Sequence, residues 1–116
     1  MKTTLRYALL AATMIVATPV LAQRPNQGED ESAALVAEGR AALKRGKLDD
    51  AASALDQAIA LNPRRVEAYV LRSAVHAAKK EYKLGIALMR RAQALSPNDE
   101  EVLTALGSQL VLSGDT

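Results

Sequence analysis

The sequence predicts an all-α fold, a right-handed α-solenoid of stacked antiparallel helix pairs. The phrase Ala-Leu-Asn-Pro that ends at Pro63 returns as Ala-Leu-Ser-Pro at Pro97, 34 residues further along the chain. A period of this length is typical of stacked helical repeats. The 116 residues include no Phe, no Trp and only three Tyr, so Ala and Leu, which favour helices over strands, must build the core. The period and the composition together predict five helices and no strand.

The N-terminus has the features of a secretory signal peptide. Lys2 and Arg6 precede an apolar run over residues 7–17, and the small residues after it predict a cut between Ala22 and Gln23. The alternative is an uncleaved membrane anchor, for which the run is shorter than the roughly 20 apolar residues of a spanning helix. We therefore expect an exported protein, periplasmic or secreted, of a bacterial envelope.

Charge and cysteine content exclude several classes of function. Cleavage would remove two basic residues and leave thirteen basic and thirteen acidic ones, so the mature chain lacks the net charge that attracts nucleic acid. The chain has no Cys, which excludes disulfides and thiolate metal sites. Its sequence contains no phosphate-binding loop, metal-ligand spacing or nucleophile motif. The single histidine, His76, has no evident partner for general-base chemistry, so we predict neither catalysis nor a cofactor.

The segment after the predicted cut differs in character from the rest of the chain. Residues 23–31 include Pro25, Gly28 and an acidic run without apolar periodicity, which predicts a flexible linker. The helical period begins at Ser32, and the first helix is expected to end at Gly46, a residue type that often terminates helices.

Three further helices complete two helix pairs. The second helix is expected from about Asp49 to Asn62, since the residue before Pro63 is pushed out of the helical region. The third and fourth helices, over residues 66–79 and 83–95, repeat the pattern of the first two.

A fifth helix begins a third, partial unit. Asn98 and Glu101, three residues apart, predict a capping box at its start, and Gly114 is expected to end it after Ser113. The predicted organisation is a signal peptide over 1–22, a linker over 23–31 and a repeat domain over 32–116, with repeats over 32–65 and 66–99 and a partial repeat over 100–116.

Residues of matching size recur at the 34-residue period. Bulky residues stand early in each first helix, and small residues stand where paired helices come closest. With these residues the chain resembles the tetratricopeptide repeat family. The resemblance is carried by the bulky Leu35, Leu55, Tyr69, Met89 and Leu103, and by the repeat-packing positions Gly39, Ala51, Ala58, Pro63, Ser73, Gly85, Ala92, Pro97 and Gly107.

The resemblance implies a concave groove, lined by the first helices of successive repeats, that receives an extended peptide or a helix of a partner protein. Its positions are mostly small and apolar with Arg40 and Lys44 at one end, which suits an apolar peptide with an acidic feature. Packing against neighbouring helices is an equally open role for Leu43. The groove residues implied are Val36, Arg40, Leu43, Lys44, Glu67, Val70, Ala74, Ala77, Ala78, Thr104 and Ser108.

Other surfaces leave different functions open. Basic residues cluster after the third helix and on the fourth one, and they are either a solvated face or a contact to anionic envelope material. The second interpretation would make the chain a structural subunit of an envelope, secretion or pilus assembly. The apolar outer face of the fifth helix would also allow a homo-oligomer. The basic residues are Lys79, Lys80, Lys83, Arg90 and Arg91.

Overall fold

The computed structural model describes residues 27–114, which form five α-helices and no strand. The predicted signal peptide, its cleavage site at Ala22 and Gln23, and the first four residues of the predicted linker lie outside the described residues. The helices are α1 (Gln27–Lys44), α2 (Leu48–Leu61), α3 (Val66–Ala78), α4 (Tyr82–Leu95) and α5 (Glu100–Ser113).

The helices pack as two complete pairs and one further helix. α1 packs on α2, α3 packs on α4, and α5 packs on α4, while α2 and α3 join the two pairs. Because the connections are only a few residues long, neighbouring helices run antiparallel. The all-α solenoid of helix pairs predicted from the repeat period is confirmed.

The core is built from small and medium side chains, as the composition predicted. It consists of three apolar clusters, each shared by helices of different pairs. Side chains of this size fill space only where helix backbones come close together, so the packing depends on small residues at the contacts. The largest fully buried apolar side chains are Leu55, Met89, Val75 and Val102.

The first helix begins earlier than the sequence predicted. α1 starts at Gln27, so the last five residues of the predicted flexible linker form its first turns. Glu29 and Asp30 lie in the first turn, where acidic side chains interact favourably with the helix dipole. Arg65 also holds this segment, because its Nη2 donates to the Glu29 carbonyl over 3.1 Å and its Nε to Ser32 Oγ over 3.0 Å. The acidic run is a helix start, and the linker prediction is wrong for these residues.

The first helices of all three units end in the left-handed region. Gly46 has φ 74° after α1, Lys80 has φ 61° after α3, and Gly114 has φ 82° after α5. Two of the three are the glycines that the sequence predicted as terminators, and this conformation is the one that glycine adopts without a steric penalty.

The N-cap of α5 lies one residue after the predicted one. Asp99, rather than Asn98, caps the helix, and its Oδ1 accepts from the backbone N–H of Glu101 over 2.9 Å and of Val102 over 3.3 Å. α5 begins at Glu100, so Asp99 occupies the position from which a short carboxylate reaches these two groups.

Three residues at the same position of the repeat lie in different surroundings. A Cβ on Gly39 would lie 2.6 Å from Cγ of Leu55, so α1 and α2 approach closely there. Ser73 is buried, and its Oγ donates to the Gly85 carbonyl over 3.0 Å. A Cβ on Gly107 would meet nothing within 4 Å, and the close approach expected there is absent because no second helix of the same unit follows α5 among the described residues. Of the other repeat-packing positions, Ala51, Ala58, Gly85 and Ala92 are buried and Pro63 and Pro97 are exposed.

Candidate protein-binding groove

The packing of the helices defines a concave and a convex side. α1 contacts α3, and α3 contacts α5, whereas α2 and α4 make no such contact with each other within the described residues. The first helices of successive units are therefore closer together than the second helices. The stack curves toward α1, α3 and α5, and these three helices form the concave wall.

The groove positions recur at the 34-residue period because α1, α3 and α5 have equivalent places in their units. Arg40, Ala74 and Ser108 share one register, and Lys44 and Ala78 share another at the helix ends. Of the predicted set, the exposed members are Arg40, Lys44, Ala78, Thr104 and Ser108, and the half-buried members are Leu43, Glu67, Val70, Ala74 and Ala77.

An ion pair crosses from α1 to α3 on this wall. Nη2 of Arg40 contacts Oε1 of Glu67, and the two side chains are 46% and 40% exposed. At this exposure water screens the pair, so it contributes little to stability. It does neutralise one of the two cations that the sequence placed in the groove. Lys44 has no ion pair with another described residue, so it is the groove cation available to an acidic partner.

The middle of the wall is lined by alanines. Ala74 and Ala77 are half-buried on α3, and Ala78 is exposed at its end. Val70 is half-buried one turn earlier and also packs against the apolar cluster between α3, α4 and α5. Side chains this short leave room for the side chains of a partner segment to approach the α3 backbone.

Two predicted groove residues belong to the core instead. Val36 is only 2% exposed and packs with Ala58 and Ala68, so the prediction that it contacts a partner is wrong. The physical reason is that its side of α1 faces the junction of α2 and α3. Leu43 is half-buried and packs on the cluster that contains Leu55, which is the packing role left open by the sequence.

A buried polar contact between α3, α4 and α5 was missed by sequence reasoning. Nε2 of Gln109 donates to Ser73 Oγ, and the Gln109 Oε1 is buried without a hydrogen-bond partner among the described residues. Gln109 lies 34 residues after Val75, a fully buried apolar position. A polar residue at a repeat position that is apolar in the preceding unit was the sequence feature from which this contact could have been predicted.

The histidine and the basic residues lie away from the concave wall. Nδ1 of His76 is 3.4 Å from Oε1 of Glu81 near the α3–α4 turn. Nζ of Lys79 is 3.2 Å from Oδ1 of Asp49, which links this turn to the start of α2. The remaining basic residues of the predicted clusters, Lys80, Lys83, Arg90 and Arg91, are exposed.

The groove is an open surface rather than a pocket. Four cavities of 270 to 470 Å³ lie at the helix turns or between helices, and none of these four is lined by a predicted groove residue. The described residues contain no group of three or more His, Cys, Asp or Glu that could hold a metal ion. Within residues 27–114, no helix has the length and apolar character needed to cross a bilayer.

A family model for the tetratricopeptide repeat matches residues 36–100. This chain belongs to the tetratricopeptide repeat family. The match runs from the middle of α1 to the first residue of α5, so it contains both second helices and the whole of α3. The resemblance drawn from the 34-residue period is confirmed over this range.

The chain also resembles a curated protein. It is 39% identical over 70 residues to peroxisome biogenesis protein 5 of Arabidopsis thaliana. The alignment covers 60% of this chain and 10% of the plant protein. The chain therefore spans about a tenth of the length of that relative.

Proposed function

We propose that this chain is an exported, non-enzymatic interaction module that binds an extended peptide or a helix of a partner protein in the concave groove. The observation that carries the proposal is the contact of α1 with α3 and of α3 with α5, which makes an open wall from first helices alone. The tetratricopeptide repeat match and the similarity to a peroxisome biogenesis protein support a protein-binding role by analogy of fold.

The lining of the groove favours a partner of particular chemistry. The short side chains of Ala74, Ala77 and Ala78 fit a segment with apolar side chains, and Lys44 at the groove edge fits an acidic group on that segment. A second acidic group could compete with Glu67 for Arg40, because that pair is open to solvent. The partner expected is an apolar segment with one or two acidic residues at one end.

A photo-crosslinking amino acid placed in the chain both tests the groove and captures whatever protein occupies it. Substitution at Ala78 or Ser108, both exposed on the concave wall, should yield a covalent adduct with one partner protein in native envelopes. Substitution at the exposed Arg90 on α4 is the matched control on the other side of the stack. Mass spectrometry of the adducts identifies the partner, and adducts from Arg90 alone would overturn the groove assignment.

The alternative function is a structural subunit of an envelope, secretion or pilus assembly held by the outer face. It is favoured by Arg90 and Arg91, which are both exposed on α4. Arg91 lines a cavity of about 290 Å³ together with His76 and Leu84. If Arg90→Ala with Arg91→Ala releases the chain from its assembly while Ala74→Glu does not, this alternative replaces the groove.

Export is the part of the proposal that rests on sequence alone. Lys2, Arg6 and the apolar run over residues 7–17 support a signal peptide that is cut after Ala22. Intact mass and N-terminal sequencing of the protein from a cell envelope fraction test it. A mature chain that begins at Gln23 is expected, and a chain that keeps the apolar run would make the segment a retained anchor.

A further inference from the structure

A cavity lies on the outer face of the stack, between the two second helices. α2 and α4 each pack on α3 but make no contact with each other within residues 27–114, so α3 forms the floor of the space between them. The cavity has a volume of about 290 Å³. We name it the outer cavity, and it is lined by Asp56 of α2, by Arg72 and His76 of α3, and by residues of α4 that include Leu84 and Arg91.

The floor of the outer cavity holds a guanidinium group with unused hydrogen-bond donors. The Arg72 side chain is only 17% exposed, and its Nε donates to Oδ1 of Asp56 over 2.8 Å. Its two Nη atoms donate to no described residue, and both are accessible to solvent. The planar fork of an arginine matches the two oxygens of a carboxylate. Arg72 can therefore accept a carboxylate that enters the cavity from solvent.

Two further side chains with nitrogen atoms line the same cavity. Arg91 is exposed on α4 and forms no ion pair with another described residue. His76 is 16% exposed, and its Nδ1 lies 3.4 Å from Oε1 of Glu81, a residue that does not line the cavity. The carboxylate of Asp56 is matched by the guanidinium of Arg72, so Arg91 gives the outer cavity an excess of positive charge. This charge attracts an anionic group and repels a cationic one.

The α4 side of the outer cavity also contains apolar side chains. Leu84 is 53% exposed, and Ala87 and Leu88, which also line the cavity, are exposed and half-buried. A ligand that covers this apolar surface removes it from water and gains free energy. An inorganic anion would contact the arginines and leave Leu84 in water, so the lining favours an anion that carries hydrocarbon. An acidic amino acid beside an apolar one has this combination.

The equivalent cavity of the preceding unit shows that the arginines are not needed to form such a cavity. Most of the outer-cavity positions have counterparts 34 residues earlier that line a cavity of about 270 Å³ between α1 and α2. Glu38 lies there at the position of Arg72, and Gln57 lies at the position of Arg91. The cavity therefore recurs with the repeat, whereas the two arginines are specific to the second unit.

We propose that the outer cavity binds an acidic side chain of a second protein, with its carboxylate on Arg72 and Arg91 and a neighbouring apolar side chain on Leu84. A single side chain can enter a cavity of this size. The flat headgroup layer of a membrane would meet the exposed cations of α4 and would not reach Arg72, which is 17% exposed. The site lies on the face opposite the concave groove, so the chain has a separate surface for a second partner protein.

Titration of the full chain with a short peptide tests whether the outer cavity takes a carboxylate. The probe is acetyl-Ala-Leu-Glu-Leu-Ala-amide, which carries one carboxylate between two leucines and no terminal charge. Nuclear magnetic resonance of the labelled chain should show shifts of the backbone amides of Leu84 and Arg91 that saturate with peptide. The same peptide with glutamine in place of glutamate is the matched control and should bind several-fold more weakly. Equal binding of the two peptides, or no binding of either, overturns the proposal.

Substitution of the arginines separates a defined site from a general attraction to a basic surface. Arg91→Gln should weaken binding of the glutamate peptide roughly fivefold, because it removes the unpaired cation of the cavity. Arg72→Lys should also weaken it, since a lysine keeps the charge but loses the planar fork. Arg90→Gln is the matched control, because Arg90 is exposed on the same helix but does not line the cavity. Equal weakening by Arg90→Gln, or none by Arg91→Gln, contradicts the proposal.

Two further measurements distinguish the outer cavity from the groove and from a membrane surface. Ala74→Glu, a change in the concave groove, should leave the affinity for the glutamate peptide unchanged, and a loss of binding would place the peptide in the groove instead. Vesicles that contain phosphatidylglycerol should bind the Arg91→Gln and Arg90→Gln chains equally. Vesicle binding that depends on Arg91 alone would assign the cavity to a lipid headgroup and overturn the proposal. Failure of the peptide to bind leaves the groove proposal in place, because crosslinking at Ala78 or Ser108 tests the groove separately.

Discussion

Gly39 and Gly107 occupy the same position in the first and third units of the chain, yet their surroundings differ completely. At Gly39 the fully buried Leu55 of α2 packs against the bare backbone of α1. At Gly107 no atom lies within 4 Å of the place where a Cβ would stand. Gly39 is required because α1 and α2 come close together at this point. No described residue packs against Gly107, so a larger side chain would fit there.

The difference shows that the repeat register predicts where a small residue occurs, but not whether another helix packs against that residue. A small residue is needed where two backbones approach, and it is merely tolerated, at a cost in helix stability, where they do not. Substitutions at equivalent positions of the first and third units should therefore have effects of different size or even of opposite sign.

The largest contrast is expected between Leu55 and Leu103. Leu55→Ala should lower the free energy of unfolding by about 2 to 5 kcal/mol, because it leaves a cavity in a fully buried cluster. Leu103→Ala should cost under about 1 kcal/mol, since Leu103 is 42% exposed and water replaces most of its contacts. Urea unfolding followed by circular dichroism measures both. Equal losses of unfolding free energy would mean that Leu103 is as completely buried in solution as Leu55.

Substitution of Gly39 and of Gly107 by alanine should change the free energy of unfolding in opposite directions. Gly39→Ala should destabilise the chain by about 1 to 3 kcal/mol, because its Cβ would lie 2.6 Å from Cγ of Leu55. Gly107→Ala should stabilise it by about 0.5 to 1 kcal/mol, because alanine favours the helix and meets nothing. The midpoints of urea unfolding report the two shifts. Destabilisation by Gly107→Ala would show that a neighbour does lie against α5 in solution.

The fold could be predicted from the sequence because the 34-residue period and the proline and glycine positions determine local structure directly. Pro63 ends α2 because it keeps the preceding residue, Asn62, out of the helical region, and Gly46 adopts φ 74° as a helix terminator. The start of α1 could not be predicted, because the acidic segment around Glu29 has no apolar period. It is held instead by hydrogen bonds from Arg65, which lies 36 residues away in the sequence.

The groove was only partly predictable for a related physical reason. The register predicts that Ala74 and Ala78 lie on the concave wall, because equivalent positions of stacked units share a face, and the two residues are half-buried and exposed on α3. The register also placed Val36 in the groove, but this side chain is only 2% exposed and packs at the junction of α2 and α3. Side-chain partners such as the Arg40–Glu67 pair depend on rotamers and distances that a repeat alignment does not contain.

Gln109 offers a contrast with Val75, its equivalent one unit earlier. Val75 is fully buried in an apolar cluster, whereas Gln109 buries an amide whose Oε1 has no hydrogen-bond partner among the described residues. Gln109→Leu keeps the side-chain size and removes this cost, so we expect a gain of about 1 kcal/mol in the free energy of unfolding. Val75→Gln, which puts a glutamine at the equivalent buried position of α3, is the matched control and should be destabilising. A loss of stability with Gln109→Leu would show that the hydrogen bond to Ser73 outweighs the unpaired oxygen.

The smallest contrast concerns the two contacts between successive first helices. Arg40 and Glu67 pair across α1 and α3, but the equivalent residues on α3 and α5 are Ala74 and Glu101, which cannot pair. A double-mutant cycle with Arg40→Ala and Glu67→Ala should give a coupling of about 0.2 to 1 kcal/mol that decreases in high salt, because both side chains are exposed enough for screening. Ala74→Arg should create the missing pair with Glu101 and give a similar coupling in its own cycle. If Ala74→Arg couples to Glu101 while Arg40 does not couple to Glu67, the geometry of the α1–α3 contact in solution differs from that of the α3–α5 contact.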